Sequence, residues 1–170
     1  MKKILFTLIA VLAMAVGANA QRAELQLGYG GYTQMDACKM HKGGGVNTAW
    51  GALTAGVNFK VAPKFYLGAS YTFSSSSYKD DGPNLYYHVI MLNGRYDYWR
   101  NSIVKLYGHV GLGVDITHTS FHGNADNNGY FAFQVSPLGA TFDLSRQCAL
   151  FGELGFGAQG VLQVGFRIKL

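Results

Sequence analysis

The residues of this chain that could ligate a soft metal are its histidines, methionines and cysteines. His41, His88, His118 and His122 fall in or beside segments that read as connections, as do Met35, Cys38 and Met40. Sulfur together with imidazole suits copper or zinc. No C-x-x-C or H-E-x-x-H spacing accompanies them, and the expectation is a chain that holds neither metal nor cofactor. Ser74 to Ser77, Asp80, Asp81 and His88 supply the residue types of a hydrolase, without the spacing of a nucleophile and its base. Serine beside glycine and aspartate is turn composition, so the expectation is that the chain is not an enzyme. A third set is more ordered. Glu24, Arg95, Asp97, Lys105, Glu153, Arg167 and Lys169 recur at every second position opposite apolar neighbours. His109 shares that register and reads as a hydrogen-bonding residue on the same face.

That register belongs to strands. Leu162, Val164, Phe166, Ile168 and Leu170 alternate with Gln163, Gly165, Arg167 and Lys169, which is period 2. The same alternation predicts eight strands, at about 24–33, 49–60, 65–75, 85–98, 103–116, 129–142, 148–158 and 160–170, with boundaries good to about 2–4 residues. Charged residues are 14% of the 170-residue chain and apolar ones 49%, whereas an average soluble domain is about 25% charged. A helical membrane protein needs runs of about 20 apolar residues, and no run here is that long.

The first segment reads as an export signal. Met1-Lys2-Lys3 is basic, Ile4 to Val16 is apolar apart from Thr7, and Ala18-Asn19-Ala20 fits a small-residue cleavage site. The expected organisation is a signal peptide over 1–20 and one β-barrel domain over 21–170. Without Lys2 and Lys3, the 14 basic residues become 12 against 9 acidic, a net +3 that does not suggest a nucleic-acid partner.

Eight alternating strands fit either a soluble barrel or sandwich with its apolar face inside, or a transmembrane barrel with that face outside. Glycines at 28, 56, 68, 111, 113, 155, 157 and 165 lie on the polar face, as a narrow lumen requires. Aromatics gather near strand ends. Tyr29, Tyr32, Tyr71, Phe73, Tyr86, Tyr87, Phe131 and Phe133 fall at one rim; Phe65, Tyr96, Tyr98, Trp99 and Phe142 fall at the other. Paired girdles mark a membrane interface. The fold class is therefore all-β, an eight-stranded antiparallel up-and-down transmembrane barrel.

Connections at Val61–Lys64, Trp99–Ser102 and Asp143–Gln147 are short, and those at Gln34–Thr48, Ser76–Asn84 and Thr117–Asn128 are long. Short turns belong to the periplasmic side. Eight strands enclose only enough room for side chains, so the lumen is expected to be a packed polar plug of paired charges. Glu24 is expected to pair with Arg167 or Lys169, and Glu153 with Arg167. Cys38 and Cys148 fall at opposite ends of the barrel, beyond the roughly 7 Å that a disulfide spans, and are expected to be free thiols.

The stretch from Glu153 to Leu170 resembles the last hairpin of small outer-membrane β-barrel proteins of the porin family (barrels of the OmpA and OmpX type) in Gram-negative bacteria. Val135-Ser136-Pro137-Leu138-Gly139 resembles their sixth strand. Gln163, Gly165, Ile168 and Leu170 occupy the places of the assembly signal of such barrels, although the family often ends in an aromatic. The resemblance implies residence in the outer membrane among its lipids. It also implies help from periplasmic chaperones and the barrel assembly machinery during biogenesis. A structural or surface-interaction role through extracellular loops follows, with the loops' partner unspecified. A narrow porin-like channel for very small solutes and a lipid-modifying enzyme at the rim are the alternatives.

Overall fold

The computed structural model describes residues 23–40, 46–78, 84–121 and 124–170. The segment read as a signal peptide lies outside them, as do His41, Asp80, Asp81 and His122 and the side chains of Cys38 and Met40. Eight strands close into a barrel in chain order: β1 Ala23–Gly31, β2 Val46–Ala62, β3 Phe65–Tyr78, β4 Asn84–Arg100, β5 Val104–Phe121, β6 Asn124–Asp143, β7 Cys148–Gly157 and β8 Leu162–Lys169. One short helix, α1 (Gln34–Met40), follows β1. Every neighbouring pair is antiparallel, and the seam closes with Glu24 opposite Lys169 and Gly31 opposite Leu162.

Alternation fixes which face looks where. Along β1, Leu25, Leu27 and Tyr29 are exposed while Glu24 and Gln26 are buried. The exposed large apolar residues continue around the outside through Ile90, Leu112, Phe131, Val164 and Phe166. A water-soluble barrel would bury this set; here it forms the wall that lipid covers, and the polar register fills the centre. Near Pro137 the alternation slips. The β6–β7 ladder shifts register between Val135 and Leu138, and Pro137 has no N–H to give it. Past the bulge, Gly139 and Thr141 face inward.

Several strands are longer than the alternation predicted. β5 and β6 reach 18 and 20 residues, although about 9–11 cross a membrane. The expected loop from Thr117 to Asn128 is the top of a hairpin whose ladder runs through Thr117 opposite Asn128 up to Phe121 opposite Asn124. Ser74 to Ser77 likewise stay paired with β4. Their side chains carry no apolar alternation, so a reading by hydropathy stops where the chain leaves the bilayer, whereas backbone pairing does not.

The expected connection Gln34–Thr48 opens with α1. Thr33 caps it: its backbone N–H donates to the Asp36 carboxylate at 2.8 Å, its hydroxyl donates to the same oxygen at 2.9 Å, and the Asp36 N–H donates to Thr33 Oγ1 at 3.4 Å. This reciprocal arrangement satisfies backbone donors that a helix start leaves free.

Rim aromatics form a connected belt at the long-hairpin end. The rings of Tyr29, Trp50 and Phe73 meet edge to face at about 6 Å, and Phe73 stacks on Tyr86. The Tyr29 hydroxyl donates to the Trp50 carbonyl. Tyr87, expected in this belt, is instead buried in the lumen, because it is one position out of register with Tyr86. Trp99 and Tyr98 stand exposed at the opposite rim with Phe142.

Candidate functional site: a charged lumen beneath an apolar cap

The lumen is built in layers. At the short-turn mouth, Lys105 on β5 and Lys169 on β8 both hold Asp143, at 2.8 and 2.6 Å. Above them Arg95 on β4 contacts Glu24 at 2.8 Å and Asp97 at 3.3 Å, and Arg100 reaches Asp97 at 3.2 Å. The expected partnership of Glu24 with Arg167 or Lys169 is therefore corrected. Lys169 lies opposite Glu24 in the ladder, but its long stem carries the ammonium to Asp143 at the mouth. Arg167 turns toward β7 instead.

The next layer is centred on Glu153. Arg167 donates to Glu153 Oε1 at 3.1 Å, Tyr107 donates to the same oxygen at 2.8 Å, and His109 Nδ1 lies 2.9 Å from Oε2. Arg167 also donates to Thr141 at 2.6 Å and to the Tyr107 hydroxyl at 2.9 Å. Both carboxylate oxygens thus have donors. A buried charge is tolerable only when paired and hydrogen-bonded.

Aromatic faces complete the shell. The Arg95 guanidinium lies 3.8 Å from the Tyr66 ring centre, and that of Arg167 lies 4.6 Å from Tyr107 and 4.3 Å from Phe151. Such stacking adds about 2 kcal/mol or more where water is excluded. The rings fit because glycines face them. A Cβ on Gly139 would lie 2.3 Å from the Tyr107 ring, and one on Gly28 would lie 2.9 Å from Phe151. Tyr66, Tyr107 and Phe151 were not among the expected site residues. The signal was in the sequence: each sits on the polar register, where an aromatic residue needs a cationic or glycine neighbour.

Neutral polar groups follow. Asn93 donates to Ser70 at 2.8 Å, and His109 Nε2 lies 3.2 Å from Asn93. The β7–β8 turn folds inward, so that Gln159 donates across the barrel to Ser70 at 3.0 Å while its backbone N–H donates to Gln134 at 3.0 Å. Gln163 is wholly buried beside them.

The outer end departs in part from the expected polar plug: Thr72, Ser74, Asp115 and Thr117 are buried there, but beside them lies an apolar cluster. Inward positions Tyr87, Val89 and Met91 of β4 meet Ala132 and Ala158, and Met35 of α1 closes the cluster from above. The run from Leu85 to Leu92 is apolar on both registers apart from His88, so alternation cannot show which face looks inward. The Gln34 side chain fastens α1 to the wall: its amide donates to the Phe131 carbonyl at 3.2 Å and accepts from the Phe133 N–H at 3.3 Å. The β6–β7 ladder ends at Gly157, the Ala158 N–H still donates to the Phe133 carbonyl at 2.8 Å, and the Gln34 side chain takes the place of the next strand neighbour.

The four residues expected to form the assembly signal divide between faces. Gln163 and Gly165 face the lumen, whereas Ile168 and Leu170 are exposed on the other side. At the rim, His88 faces outward with Tyr71 2.6 Å from its Nδ1 and the His118 ring 5.5 Å away. Ser74 and Ser76 are buried on the lumen side of the same wall. The wall separates this histidine from those serines. No group of three or more metal-ligating residues occurs among the described residues. Cys148 is a free, exposed thiol at the short-turn end.

A closed antiparallel barrel with a lipid-facing apolar wall and a filled polar interior defines a transmembrane β-barrel of the outer-membrane class. The chain belongs to the family described as outer membrane protein beta-barrel domain, whose model matches residues 4–160, and it is an outer-membrane protein in contact with membrane lipid. No curated protein matches it in sequence. Among solved structures it is similar to the N-terminal β-barrel domain of Pseudomonas aeruginosa OprF, with TM-score 0.55 and 11% identity over 88% of this chain and 97% of that one. It is also similar to the Yersinia pestis outer membrane protein Ail in a phospholipid bilayer nanodisc, with TM-score 0.53 and 12% identity over 88% and 99%. A de novo designed transmembrane β-barrel matches with TM-score 0.50 and 15% identity over 88% and 95%. At these identities the likeness is one of fold.

Proposed function

We propose that this chain is a non-conducting, non-enzymatic barrel that stabilises the outer membrane and acts at the cell surface through its tall hairpins. One observation carries the reading: the wall is uneven. β1 pairs with β2 only up to Gly30 opposite Ala52, and β7 pairs with β6 only up to Gly157 opposite Gln134. β2 continues to Val46 and β6 to Asn124. A five-stranded sheet, β2 to β6, therefore rises above the β7–β8–β1 side, and along its two edges the described residues have no strand neighbour in the ladder. Unshared strand edges template pairing with another chain. The filled lumen supports the non-conducting part. Residues 1–20 direct export and are removed, leaving 21–170 as the barrel domain. Periplasmic chaperones carry the chain, and the barrel assembly machinery reads Gln163, Gly165, Ile168 and Leu170.

Replacing Thr117–Asn128 with a two-residue turn is expected to leave barrel folding unchanged and to abolish attachment of intact expressing cells to host-protein-coated surfaces. Undiminished attachment would overturn the surface role. In planar bilayers the full barrel is expected to give no stepwise openings; permeation by small sugars would overturn the plug.

A further inference from the structure

The short-turn mouth encloses a cavity of about 660 Å³. Four cationic side chains line it, Arg100, Lys105, Arg146 and Lys169, with two side-chain carboxylates, Glu24 and Asp143, and the terminal residue Leu170. The balance is less even than it looks. Glu24 is engaged by Arg95, and Arg100 is engaged by Asp97. Asp143 alone remains for Lys105 and Lys169, each of which spends one N–H on it. An ammonium has three donors, so two remain on each lysine, and the three groups together keep a positive charge. Arg146 adds a second, with no carboxylate partner among the described residues. Ser145 lies on the same turn; its oxygen accepts the backbone N–H groups of Gln147 and Cys148 at 3.2 and 2.9 Å, which leaves its hydroxyl hydrogen free to donate.

We infer that this vestibule is a binding site for a phosphate-type oxyanion, held by Lys105, Lys169, Arg146 and the Ser145 hydroxyl. Charge-assisted hydrogen bonds are about twice as strong as neutral ones. The lysines are only 15% and 17% exposed, so solvent screens them less than it screens a surface pair. The site is separate from the Glu153 layer above it and does not rest on the surface role proposed for the opposite end. A soluble phosphate and a lipid headgroup at the rim present the same chemistry.

The test uses the full barrel folded in zwitterionic micelles at low ionic strength, titrated with inorganic phosphate and followed by calorimetry. One saturable site is expected. K105Q/K169Q should weaken binding tenfold or more, and R146Q several-fold. Arg146 sits on an exposed turn, so R146Q keeps the wall intact, and heat-dependent gel mobility verifies the fold of each variant. An isotherm unchanged in both variants, or uptake that never saturates and tracks ionic strength alone, would overturn the site. Repeating the titration in phosphatidylcholine vesicles with added phosphatidylglycerol assigns the source. Competition by the anionic lipid supports a headgroup ligand at this site, and undisturbed binding supports a soluble one.

Discussion

The two halves of the lumen fill the same narrow cylinder by opposite means. The half near the short turns is packed with ions: Arg95, Arg167, Glu24, Asp97 and Glu153 are all buried and all paired. The half near the long hairpins is packed with Tyr87, Val89, Met91 and Ala132 and stoppered by Met35. In the first half, each charge depends on its partner. In the second, the apolar cluster depends on being covered, and the polar groups beside it are few among the described residues: Tyr87 meets Ser76 at 3.2 Å and Thr117 donates to Asp115 at 3.2 Å. The charged half should therefore fail globally when one member is lost, whereas the apolar half should open locally.

Glu153→Gln should show the largest effect. It leaves Arg167 facing a neutral amide, and breaking a buried pair costs about 3–5 kcal/mol; urea unfolding in vesicles should show the whole transition moving to lower denaturant. Gly139→Val comes next. Its added carbons meet the Tyr107 ring, and overpacking costs about 1–3 kcal/mol, read as a lowered thermal midpoint with Trp fluorescence. Thr33→Ala removes the cap of α1, worth about 0.5–2 kcal/mol. Here hydrogen exchange should accelerate over α1 and the Phe131–Phe133 segment while β1, β5 and β8 keep their protection. If β1, β5 and β8 also accelerated, the contrast between the halves would be wrong. Arg100→Gln should do least, below about 1 kcal/mol, because its side chain is 40% exposed and solvent screens the pair; an effect as large as that of Glu153→Gln would show that exposure does not weaken the pairs at the mouth.

The barrel itself was readable because lipid on one side and a polar lumen on the other impose alternation along most of its strands. The nine residues from Leu162 to Leu170 show it without exception. The charged residues were readable as a set for the same reason, but not their pairings. Lys169 stands opposite Glu24 in the ladder yet reaches Asp143, because side-chain length decides contacts that register alone does not. Tyr87 was misplaced because its neighbours Leu85 to Leu92 are apolar on both registers, and period 2 has no contrast there. The helix was written in Thr33-x-x-Asp36, a capping pattern hidden in what composition marks as a connection. The heights of β5 and β6 were not visible in hydropathy, since Thr117, Thr119 and Asn128 pair through their backbones above the bilayer.

Trp50 and Trp99 are the chain's two tryptophans. They stand at opposite rims, each about half exposed on the outside of the wall. The barrel thus carries a built-in depth gauge with one mark in each leaflet. With Trp50 removed, quenchers placed at known depths in the bilayer report the short-turn rim alone; with Trp99 removed, they report the other. The two readings together give the tilt and vertical position of the barrel in its membrane without any attached label.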